Sequence, residues 1–138
     1  MSEPSPPAAG AEPLAVARAA IAGPARAIRF LAGVTIVLLA LLLAGILRLL
    51  LGGDDTSIGQ LILPLVMVCA GSVAMVVAWR DARTLARLES RSAGSRAAFL
   101  LCIPFLCPLA PIGLLIAIWT WRVMGQDEVA RAFADHDR

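Results

Sequence analysis

Three long apolar runs dominate the chain, and short polar or small-residue stretches separate them. The first lies within residues 25–51, with its most apolar core from Phe30 to Leu47. The second covers residues 58–79. The third, Ala97 to Trp121, is uncharged and carries Pro104, Pro108 and Pro111. A bilayer core of about 30 Å takes about 20 apolar helical residues to cross, and each run meets that length. The pattern predicts an all-α integral membrane protein: three transmembrane helices in a small bundle.

The flanking stretches divide the rest. Residues 1–24, rich in Pro and Ala, read as a disordered or interfacial leader. Within it Leu14, Ala17 and Ile21 share one face of a short helix, and Gly23-Pro24 punctuates the chain before span 25–51. That span reads as a retained anchor, because its run exceeds a signal-peptide core and no A-x-A site follows. Gly52-Gly53-Asp54-Asp55 ends it. Pro64 is expected to bend the second span near its start. Residues 80–96 read as an Arg-rich cytoplasmic helix extension and loop, and 97–122 as the third span. In the tail, 123–138, Val129, Ala132 and Phe133 share a face, predicting a short interfacial helix.

Composition strengthens this reading. The 138 residues are 59% hydrophobic and 16% charged, with mean hydropathy +0.83. Soluble domains average about 45–50% apolar and about 25% charged. Net charge is only +2, and nothing resembles a nucleic-acid surface; every basic side chain is Arg. Arg18, Arg26 and Arg29 precede the apolar core Phe30–Leu47 of the first span, and Arg80, Arg83, Arg87, Arg91 and Arg96 lie between the second span and the apolar run of the third. These are eight of the 12 basic residues, and the first loop has none. The positive-inside rule then predicts a cytoplasmic N-terminus and an outside C-terminus. Phe30, Trp79 and Phe99 are expected at the inner interface, and Trp119 and Trp121 at the outer. Arg48 is expected to snorkel into a salt-bridged outer rim with Asp54, Asp55, Arg122, Asp127 and Glu128.

Four features carry candidate roles. The five arginines of 80–96 are candidate contacts for anionic lipid headgroups or a partner. Small residues at helical spacing are candidate packing positions: Gly33, Ala40 and Ala44; Ala70, Ala74 and Ala78 beside Gly71; Ala110, Gly113 and Ala117 with Thr120. Of these, Ala70, Ala74, Ala78, Gly113 and Ala117 are the leading packing candidates. Pro104, Pro108 and Pro111 share a helix face and predict a kink, or a carbonyl-lined break facing a ligand. Cys69, Cys102 and Cys107 lie in apolar runs and read as small packing residues, not as a disulfide framework.

No Asp, Glu, His or Lys falls inside a span, against a proton relay. His136 is the single histidine, and no HExxH, GxSxG, Walker or CxxC pattern occurs. No catalytic, cofactor or metal residue is assigned, no cofactor is expected, and the chain is read as no enzyme. The stretch PIGLLIAIWTWRVMGQDEVARAF, residues 111–133, resembles the closing segment of small uncharacterised multi-span bacterial inner-membrane proteins: P-x-G-L, an aromatic-ended span, a turn, then V-x-x-A-F. The resemblance implies a bacterial origin and supplies no activity. The expected function is a non-enzymatic accessory or scaffold subunit of a membrane complex. Its expected partners are lipids and either other membrane proteins or further copies of itself. The alternative is a small oligomeric permeation or holin-like protein, although three-span holins more commonly place the N-terminus outside.

Overall fold

The computed structural model describes residues 11–52, 58–104 and 109–136. They form five α-helices, with no strand among them: α1 Ala11–Leu51, α2 Ile58–Ala86, α3 Arg91–Cys102, α4 Ala110–Met124 and α5 Asp127–His136. Helices α1 and α2 are long and apolar enough to cross a membrane; α4 is a shorter apolar helix. Only 22% and 28% of their most apolar windows are buried, against the mostly buried core helices of soluble proteins.

α1 and α2 form an antiparallel pair. Their buried positions alternate steps of three and four: Ala17, Ile21, Pro24, Ile28, Leu31 and Thr35 on α1, and Val68, Gly71, Met75, Ala78, Ala82 and Leu85 on α2. That alternation averages 3.5 residues per turn and keeps one narrow stripe on the partner helix. Ala70, expected on this stripe with Ala74 and Ala78, instead faces outward. Steps of four drift around a 3.6-residue helix, so Gly71 takes the position that Ala70 was assigned. Ala40 and Ala44 are exposed as well.

The expected break at Gly23-Pro24 does not occur, and residues 11–24 belong to α1. Pro24 removes one helical N–H, yet its ring is fully buried on the packing stripe, and this contact outweighs the local signal.

The expected third span, 97–122, is two helices. α3 ends at Cys102, with Ile103 extended at φ −79° and ψ 111° before Pro104, the conformation that a following proline favours. α4 restarts with Pro111 in its first turn, where a missing N–H costs nothing. Pro104 and Pro111 therefore bound a helix break and do not kink one rod; Pro108 lies outside the described residues. The helices fold back antiparallel. The close approach of Gly113 to the Leu101 carbonyl joins the end of α3 to the start of α4. Gly94 packs against Met124 at the other end. At 1.5 Å per residue, 12 and 15 residues rise about 18 and about 22 Å, short of about 30 Å.

The fold-back brings α5 beside the first turns of α1. Its apolar face, Val129, Ala132 and Phe133, is buried in the same core as Ala17 and Ile21, not left for an interface. Both ends of the described chain consequently lie at one end of the molecule, against the expected opposite sides. Trp119 packs on Gly23, toward that same end, and Trp79 on Gly33, about 15 Å further along α1. Arg122, Asp127 and Glu128 sit at that end too, far from Arg48 at the tip of α1, so these residues do not make the expected rim. Asp54 and Asp55 lie outside the described residues.

Candidate functional site

The five arginines of 80–96 do not share one helix face. α2 stops at Ala86, where the Leu88 N–H donates to the Leu85 carbonyl (3.0 Å) and the Glu89 N–H to the Thr84 carbonyl (3.0 Å). This is a Schellman closure. Leu88 occupies its left-handed position at φ 61°, normally a glycine's place, because its side chain is 3% exposed and held in the core. α3 then starts at Arg91, capped by the Ser90 hydroxyl, which accepts from the Ala93 N–H at 3.3 Å.

This turn sorts the arginines. Arg96 is not a free surface charge: its Nε donates to Asp81 Oδ2 at 2.6 Å and its Nη2 to Oδ1 at 3.0 Å. The Asp81 side chain is 8% exposed and that of Arg96 63%. The fork ties α3 to α2, and these hydrogen bonds, then the carboxylate charge, hold the Arg96 pKa above its ordinary value. Arg87 is loosely paired with Glu89 at 3.6 Å on the surface. Arg80, Arg83 and Arg91 are exposed.

A second helix supplies a residue that the sequence reading did not place here. Arg29 of α1 and Arg83 of α2 both stand over the Trp79 ring, with Cζ 5.7 and 5.9 Å from its centroid, within cation–π range. The ring lies against α1 at Gly33, where an added Cβ would meet Trp79 Cζ3 at 2.9 Å. Spacing shows only that Arg29 precedes Gly33 by one turn and Trp79 precedes Arg83 by one turn, each within its own helix, and does not join the two helices.

Of the packing candidates, Ala74, Ala78, Gly113 and Ala117 are buried. The buried Thr120 hydroxyl donates to the Ile116 carbonyl at 2.7 Å. Every buried side-chain N or O among the described residues has a partner. The Cys102 thiol donates to the Ala98 carbonyl at 3.3 Å, Cys69 is exposed, and Cys107 lies outside the described residues. Among the described residues no group of three or more His, Cys, Asp or Glu could hold a metal. The chemistry on offer is thus guanidinium charge beside apolar grooves. No protein-family model, curated protein or solved structure matches the chain.

Proposed function

We propose that this chain is a non-enzymatic accessory or scaffold subunit of a bacterial inner-membrane complex. It would insert α1 and α2 as spans and dip the α3–α4 hairpin in from the cytoplasmic side. One observation carries the reading: from Ala40 to Leu51 every residue except Ile46 is exposed, and all but Arg48 are apolar. A two-helix arm of this kind has no partner of its own in water, whereas lipid tails and neighbouring helices would cover it. Ala40, Ala44 and Gly45 leave room there for a close helix approach.

Charge supports the orientation. Every described arginine except Arg48 lies on residues 18–29 of α1, on residues 80–87 at the close of α2 or on α3–α5, and Arg48 alone lies on the exposed distal stretch. A hairpin that enters and leaves on one side keeps α4, α5 and their Arg122 and Arg131 with the rest, a stronger asymmetry than three spans would have.

Native mass measurement in mild detergent tests the reading. The expected result is a fixed-stoichiometry complex with unlike subunits, weakened by Ala40→Leu/Ala44→Leu. A closed homo-oligomer would favour permeation, and a chain removed by carbonate washing would refute both. Cysteine tagging at positions 14 and 134 is expected to label both from the cytoplasmic side.

A further inference from the structure

The α1–α2 face carries a built combination of charge and groove. An open apolar groove of about 600 Å³ runs along α1 from Arg29 past Gly33 and Val37 to Leu38, with Trp79 as one wall. On the other side of Trp79 a smaller groove of about 410 Å³ is lined by Ile36, Val76, Arg80 and Arg83. The two share Ile36 and Trp79, so they adjoin at this ring. Arg29, Arg80 and Arg83 are exposed around it, from two different helices.

The ion pairs among the described residues are Arg87–Glu89 and Arg96–Asp81, so none engages these three guanidiniums. Trp79 holds two of them in place through its ring face, which reduces the ordering cost of binding an anion. Guanidinium forks match a phosphate with paired hydrogen bonds. Nine residues of helix separate Arg29 from Leu38, about 14 Å of apolar groove running away from the charge. The complement of that shape is an amphiphile with one anionic head and an apolar tail.

We propose that this face holds one anionic phospholipid, its phosphate among Arg29, Arg80 and Arg83 and an acyl chain in the groove beside Gly33 and Trp79. The proposal rests on the membrane reading above. It also separates the arginines: Arg29, which is outside the 80–96 cluster, belongs to the site, and Arg96, which is inside the cluster, does not.

The test is native mass spectrometry of the full-length chain in detergent, titrated with phosphatidylglycerol or with phosphatidylcholine of the same acyl chains. One phosphatidylglycerol is expected to be retained in preference. Arg29→Gln/Arg83→Gln should weaken its binding about thirtyfold, at about 1 kcal/mol per arginine. Arg87→Gln/Arg91→Gln, exposed and outside the grooves, should leave the preference intact. Arg80→Gln touches no ring and should lower the preference without disturbing the helices, whatever the double variant does to folding. Equal retention of the two lipids overturns the proposal, as does an unchanged preference in Arg80→Gln or in a helical Arg29→Gln/Arg83→Gln. Displacement by glycerol phosphate would show that a free phosphate ester fills the site, and would overturn the lipid assignment. A chain that fails to float with vesicles refutes the membrane reading; one that floats without lipid preference refutes the site alone.

Discussion

The two ends of this molecule are built on different rules. At the base, five helices meet, and their contacts run through small residues: Gly113 under the Leu101 carbonyl, Gly94 under Leu85 and Met124, Gly23 under Trp119. Polar groups there are matched, with Asp81 gripped by Arg96. The distal arm has two helices, and its buried stripe fades beyond Leu39 and Val68. The base specifies itself, whereas the arm presents apolar surface to whatever surrounds it. Substitutions should therefore separate the two: those in the base change stability in isolation, and those in the arm change only what the chain associates with.

The largest effect is expected at Gly113. An added Cβ would clash with the Leu101 carbonyl oxygen, which is backbone and cannot rotate away. Gly113→Ala gains about 1 kcal/mol of helix propensity but forces the hairpin apart. A net loss of about 3 kcal/mol is expected, read as a lower midpoint of thermal unfolding in detergent. If stability is unchanged, the α3–α4 contact is not as described.

The next effect is an asymmetry. Arg96→Ala leaves the 8% exposed Asp81 carboxylate without its fork, whereas Asp81→Ala returns a 63% exposed guanidinium to solvent. Arg96→Ala should cost more than Asp81→Ala in denaturant unfolding, because the unpaired group left behind is the buried one. Equal costs would mean the pair behaves as a surface ion pair.

Gly33→Ala is finer. Its Cβ would meet the rim of the Trp79 ring at 2.9 Å, and a ring can slide. The helix gain of about 1 kcal/mol offsets part of an overpacking cost of about 1–3. A net loss of about 1 kcal/mol with a shifted Trp79 emission is expected, measured in a Trp119→Phe/Trp121→Phe background. The smallest effect belongs to the arm. Leu42→Ala, at a side chain 53% exposed, should stay within about 0.5 kcal/mol in detergent unfolding. A loss of several kcal/mol would show that the arm is packed, and the contrast between the two ends would fail.

The prolines show how far a sequence reading reaches. Positions 104, 108 and 111 share a helix face only if the helix exists. Pro24 and Pro64 carry the same local signal, yet both sit inside continuous helices. Pro24 is retained because its ring is packed against neighbours, while Pro104 stands exposed past the end of α3. Sequence spacing records the lost hydrogen bond, but not the contact that compensates for it. For the same reason Arg29 could not be joined to Trp79 from spacing alone: their meeting depends on the register that Gly33 sets between α1 and α2.

By itself the sequence determined the helical class, the two long apolar helices, the stop near Gly52 and the crowding of arginine around 80–96, because each is a local matter of hydrophobic run length, backbone breakers and charge. Only the tertiary structure decided that the last apolar run folds back on itself, that both described ends share one end of the molecule, and which arginines pair and which stay free. Those outcomes depend on contacts between residues distant in the chain, where one missing side chain at Gly113 lets two backbones touch.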